Sequence, residues 1–120
     1  MTPSDRDISI LKHIANYCEE ITDAIEKHNL TLDSISSDNV YKNALSMSIL
    51  QIGELANVLS KEFRTTHDTI PWHEIGRMRD KAAHHYWTFE LDILWETVTD
   101  DIVPLKEYCE NCIKEFNNKD

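Results

Sequence analysis

The residues able to do chemistry concentrate in one stretch, Arg79-Asp80-Lys81-Ala82-Ala83-His84-His85-Tyr86. A guanidinium can grip a phosphate and stabilise negative charge as it builds. A histidine near neutrality can take a proton from a 2′-hydroxyl or give one to a leaving oxygen. A phenol can position a phosphate or stack on a base. These types together suit metal-free cleavage of RNA, with Arg79, His84 and Tyr86 as the catalytic candidates and Asp80 and His85 in support.

Helical geometry divides that set. Tyr86 lies seven positions after Arg79 and returns to the same face about two turns on, with Ala82 and Ala83 between them. His84 would point about 140° away from Arg79 on a regular helix. Convergence therefore needs a loosened helix, a second copy of the stretch, or both. Asp80 and His84 are spaced i, i+4, where a carboxylate can hold one ring nitrogen and fix the tautomer. Arg77 and Lys81 are a like-charged i, i+4 pair, mildly destabilising unless an anion lies between them.

Other chemistries have less behind them. His67, His73, His84 and His85 lack a strong metal-ligand spacing such as H-E-x-x-H, so no metal site is expected. Cys109 and Cys112 spell C-x-x-C without a second pair or a βαβ context, and helical spacing puts both on a core face. A cysteine nucleophile lacks an adjacent histidine. There is no glycine-rich phosphate loop, and no cofactor is implied.

The rest of the chain must position this stretch. At 120 residues it is long enough for one core, and a single helical domain over 1–120 is expected. Two glycines and three prolines are too few turn formers for a sandwich or barrel. No apolar run reaches the roughly 20 residues of a membrane span, and Met1 to Arg6 lack a signal core. Three cysteines without framework spacing suggest reduced thiols in a cytoplasm.

The formal charge of −10 argues against broad nucleic-acid binding, but its distribution matters. Residues 61–87 hold five Lys/Arg against four Asp/Glu and four of the six histidines, whereas the remainder has 7 against 18. An acidic body with one neutral-to-basic segment fits a small anionic target better than a long track.

Apolar spacing predicts an all-α, up-down bundle of four to five helices. The first starts near Ser4, with Leu11, Ile14, Cys18, Ile21 and Ile25 as its stripe. Thr31 to Asp38 reads as a connection holding at most a short helical turn. The second long helix is capped from Ser36-Ser37-Asp38 and is expected to run to about Arg64. Its stripe is Leu45, Ile49, Ile52, Ala56, Leu59 and Phe63, widened by Tyr41, Ala44, Met47 and Leu55. Gly53 suggests close approach of a neighbouring helix, and Glu54 is expected to be partly exposed or to turn inward toward a basic residue such as Arg79. Pro71 opens the third main helix, which carries the reactive stretch, with Asp68 or Thr69 as its cap. A break near Trp87-Thr88 precedes the last helix, whose buried face runs from Leu91 to Phe116 and which should kink near Pro104.

Arg79, four residues, His84, one residue and Tyr86 match the R-x4-6-H-x-Y motif of the HEPN superfamily. Ile52-Gly53-Glu54, Ile70-Pro71-Trp72, Met78-Arg79-Asp80 and Leu94-Trp95 with Pro104 resemble its HepT-like branch, over about residues 5 to 115. The resemblance implies a HEPN-like helical bundle acting as a ribonuclease toxin, a homodimer whose two motifs line one cleft. It also implies a cognate MNT-type nucleotidyltransferase antitoxin that silences the toxin by attaching AMP to Tyr86. By that carry-over Arg79 and His84 are catalytic, and Tyr86 is both site residue and AMPylation target. Asp80 stands where many relatives have Asn, which adds a charge that could orient His84 or weaken phosphate binding. His85 fills a variable position, and Trp87 replaces a smaller residue or Phe. Two other readings stay open: a non-catalytic module binding a nucleotidyltransferase and a nucleotide, and a plain helical dimerisation domain.

Overall fold

Ser4 begins the first helix as expected: its hydroxyl accepts from the Asp7 amide, and Asp5 and Asp7 sit in the first turn where the helix dipole favours carboxylates. The structure, a computed structural model, describes residues 4–77 and 91–118. Helix α1 spans Asp5–Lys27, α2 Leu32–Ser37, α3 Asn39–Val58 and α4 Lys61–Thr66. Helix α5 is described over residues 72–77. Helix α6 spans Leu91–Glu96 and passes through a wide turn at Thr97–Asp101 into α7, Ile102–Asn117. No strand occurs among the described residues, and the architecture is an all-α helical bundle.

Helix α1 packs along both α3 and α7, so its apolar stripe is closed on two sides. Leu11, Ile14, Cys18 and Ile21 are at most 1% exposed and meet Leu45, Ile49, Ile52 and Ala56 of α3 in one cluster. The far wall is Leu94, Val98, Ile102, Leu105, Cys109 and Cys112. Each large side chain so buried contributes about 1.5–3 kcal/mol. That outweighs the few tenths by which helix propensities differ, so the stripe and not the propensity sets the fold. The widening residues of α3 divide: Tyr41 and Leu55 are half-buried, whereas Ala44 and Met47 are exposed.

Helix ends carry local signals. Asn29 at φ 50° terminates α1, with the Leu30 amide donating back to the Ile25 carbonyl. Asparagine tolerates that left-handed conformation better than most residues. The Thr31–Asp38 connection does contain a helix, α2, started by a reciprocal Thr31–Ser34 capping box. Asp38 then caps α3 through the Val40 amide.

Two expectations change. The second long helix ends at Val58 and not near Arg64: Leu59 and Ser60 are extended, and α4 starts afresh with Ser60 as its cap. Apolar spacing runs through the break because Leu59 and Phe63 both remain buried. What stops the helix is remote. Arg6 Nη1 donates to the Val58 carbonyl at 2.9 Å, while Asp7 accepts from the Ser60 amide and hydroxyl.

The kink expected near Pro104 takes the form of a π turn one step earlier. The Ile102 amide donates to the Thr97 carbonyl, five residues back. Thr97 and Thr99 direct their hydroxyls onto the carbonyls of Ile93 and Trp95, a back-bonding that bends helices. Pro104 becomes the third residue of α7, directly after the π turn. The expected break near Trp87-Thr88 lies outside the described residues.

Candidate active site

Arg79, Asp80, His84, His85 and Tyr86 all lie outside the described residues, as do Lys81, Trp87 and the residue pair Ala82-Ala83. The structure does describe the elements that lead into them and away from them: the α4–α5 corner on one side and α6 on the other.

The corner is held by an aromatic cluster. His67 stacks on Phe63 with ring centroids 4.0 Å apart and planes 14° from parallel. Its Nδ1 lies 3.1 Å from the Phe63 carbonyl and 3.0 Å from the Thr66 hydroxyl. Trp72 is 3% exposed, lies against Phe63 and edge-on to Tyr108, and donates Nε1–H to the His67 carbonyl at 2.8 Å. The Trp72 amide donates to Ile70 across Pro71, a three-residue turn. The Ile75 amide donates to the Pro71 carbonyl, so Pro71 acts as the cap of α5 and the helix starts one residue later than expected. Burial pushes the Tyr108 phenol up, opposed by its hydrogen bond to Thr69. These contacts fix α4, the connection and the start of α5 onto α7.

Helix α5 also approaches α3 closely. A Cβ on Gly76 would overlap Asn57 Oδ1 and come within 2.8 Å of Asn57 Cγ. Gly76 is buried and stands three residues before Arg79. Close approach was expected at Gly53, which is buried too; the signal at Gly76 was the same, a glycine inside a helix of otherwise ordinary composition. Glu54 is half-buried on α3.

A cavity of about 590 Å³ lies between α3, the start of α5 and the π turn. Its walls are mainly Ile52, Ile70, Ile75, Ile102, Leu105 and the two prolines, with Glu74, Arg77 and Asp101 as its charged members. Burial, then the neighbouring Asp100 charge, pushes the Asp101 carboxyl up.

Cys18, Cys109 and Cys112 are free and buried, as the core-face reading of the C-x-x-C pair expects. Burial pushes the Cys18 thiol up to about 12 and raises Cys109 and Cys112 as well, which removes the thiolate a nucleophile needs. Among the described residues, no group of three or more His, Cys, Asp or Glu could hold a metal ion. Among them also, no helix is long and apolar enough to cross a membrane.

Comparison with known proteins supplies the class. The family model described as "Ribonuclease HepT-like" matches residues 13–112, a span that contains the whole Arg79–Tyr86 stretch. The chain belongs to this HepT-like family, within the HEPN superfamily. A protein of Caldanaerobacter subterraneus subsp. tengcongensis named "Putative RNase" is 35% identical over 81% of this chain and 85% of its own length. One of Thermococcus cleftensis named "Probable ribonuclease HepT" is 33% identical over 76% of this chain and 87% of its own. A "Putative RNase" of Methanocaldococcus jannaschii is 29% identical over 96% of this chain and 94% of its own. No solved structure matches.

Proposed function

We propose that the protein is the toxin of a HEPN/MNT toxin–antitoxin pair, a cytoplasmic, metal-independent endoribonuclease built as one domain over residues 1–120. The observation that carries this reading is the motif Arg79-x4-His84-x-Tyr86, complete and inside the span matched by the HepT-like ribonuclease family. The working unit is a homodimer in which two copies of the stretch line one cleft, because Arg79 and His84 diverge on a single regular helix.

In that cleft one His84 takes the proton of an RNA 2′-hydroxyl, and the freed oxygen attacks the adjacent phosphorus. The 5′-oxygen leaves with a proton from the partner copy's His84, so the products are a 2′,3′-cyclic phosphate and a 5′-hydroxyl. Arg79 binds the phosphate and stabilises the charge of the transition state. Tyr86 positions the phosphate, with Asp80 and His85 supporting the imidazole. An MNT-type nucleotidyltransferase silences the site by transferring AMP from ATP to the Tyr86 hydroxyl, releasing pyrophosphate; the bulk and charge of the adenylyl group then exclude RNA.

Expression with and without the partner nucleotidyltransferase tests the reading. Growth arrest by the chain alone, relieved on co-expression together with a mass increase of whole AMP units, is the expected outcome. A chain that is unmodified and harmless when expressed alone fits the non-catalytic module and would overturn the proposal.

A further inference from the structure

We propose that the groove between α4 and the start of α5, walled by Lys61, Arg64 and His73, is a subsite for a backbone phosphate of the RNA strand beside the scissile bond. The inference rests on the ribonuclease reading and extends it to residues outside the motif.

The groove has a volume of about 460 Å³. Lys61 and Arg64 are spaced i, i+3 on α4 and so share a face, and His73 comes in from α5. Among the described residues, Asp68, exposed, is the carboxylate on the wall. Arg64 Nε is buried without a hydrogen-bond partner among the described residues. The Arg64 guanidinium is a planar, charged donor of the kind that forks onto a phosphate.

Pro71 and Trp72 also line the groove, and the Trp72 amide, indole N–H and ring are all engaged, which holds the backbone of the corner in place.

Its place in the chain points to RNA. His73 is six residues before Arg79, on the element that leads into the motif. On the other side of the motif the chain continues through Asp92, Glu96, Asp100 and Asp101, which repel a phosphate backbone. Residues 61–77 carry Lys61, Arg64 and Arg77 against Glu62, Asp68 and Glu74, so a strand held at Arg79 meets less repulsion over α4 and α5.

The test is binding of a fluorescent single-stranded RNA carrying 2′-O-methyl groups, which cannot be cleaved, titrated over a range of KCl concentrations. Each phosphate contact on a single strand contributes about 0.7 to the slope of log affinity against log salt. Lys61→Gln/Arg64→Gln should lower the slope by about 0.7, the loss of the one phosphate contact. Lys12→Gln/Lys114→Gln, which removes the same charge from exposed positions on α1 and α7, should leave it unchanged. Arg64→Lys should keep the wild-type slope. If the double variant does not fold, Lys61→Gln alone, at an exposed position, should lower the slope while Lys12→Gln leaves it unchanged.

Equal slopes for the groove and control variants overturn the subsite. So does a groove variant that binds RNA normally but no longer captures a nucleotidyltransferase partner, since the groove is then a protein-docking site. Wild-type protein that cuts unmodified RNA while the slopes stay equal sinks the subsite alone. Groove-dependent binding without any cutting sinks the nuclease reading alone.

Discussion

Asp7 and Ser60, 53 residues apart in sequence, are joined by two hydrogen bonds: the Ser60 amide donates to Oδ1 at 2.8 Å and its hydroxyl to Oδ2 at 2.6 Å. The same Ser60 hydroxyl accepts from the Phe63 amide and starts α4. One carboxylate at the head of α1 thus sets the corner from which the basic groove, α5 and the reactive stretch all follow.

Burial raises the Asp7 carboxyl, but bonds from the Ser60 side chain and amide, then from Ser4, outweigh it and the net shift is downward. A folded-state value below the unfolded one means that stability is fully present above the ordinary carboxyl range. It is lost as the pH falls through the folded-state value. Asp7→Ala should cost about 1–3 kcal/mol at pH 7, because it strands the Ser60 amide. The gap between wild type and Asp7→Asn in urea unfolding should shrink on acidification. A gap independent of pH down to pH 2 would show that the carboxylate charge is irrelevant.

Trp72 closes the α4–α5 corner by both volume and its indole N–H. Trp72→Ala should cost about 3–5 kcal/mol and Trp72→Phe much less, with the latter losing chiefly the bond to the His67 carbonyl, about 1 kcal/mol. Thermal or urea unfolding of the two variants measures the difference. Equal costs would mean that the hydrogen bond matters more than the packing.

Gly76 and Asn57 should be energetically coupled. Alanine at position 76 gains about 1 kcal/mol in helix propensity over glycine but must displace the Asn57 amide. Gly76→Ala should therefore be more favourable in an Asn57→Ala background, with a coupling of at least about 0.5 kcal/mol in a double-mutant cycle. Additive effects would remove Gly76 as the contact that seats α5 on α3.

Thiol reactivity separates a packing role from a nucleophilic one for the cysteines. With Cys18 pushed up to about 12 and Cys109 and Cys112 raised by burial, no thiol should label rapidly in the native protein at pH 8. All three should label on unfolding in urea. Rapid native labelling of Cys109 or Cys112 would revive a chemical role for the pair.

Most of the frame was readable in the sequence because its signals are local. Ser4 and Asp38 cap the helices they precede, and the stripe from Leu11 to Ile21 needs only a period of 3.6. The end of α3 was not readable: Leu59 and Phe63 keep the apolar period, and the break depends on Arg6 and Asp7, more than fifty residues away. The π turn was foreseen only as a kink, since Pro104 marks the region while the Thr97 and Thr99 back-bonds fix where the turn widens. For the site, residue types and spacing named Arg79, His84 and Tyr86. They could not show that Lys61, Arg64 and His73 meet across a corner, because that requires the fold of the Pro71 turn.

The most direct measurement is cleavage of a single-stranded RNA by purified protein in EDTA, with intact mass confirming that Tyr86 is unmodified. The wild-type protein should cut, leaving cyclic phosphate ends, and His84→Ala should be slower by about 10²–10⁴-fold. RNA left intact by unmodified wild-type protein, or cut equally well by His84→Ala, would contradict a nuclease centred on Arg79, His84 and Tyr86.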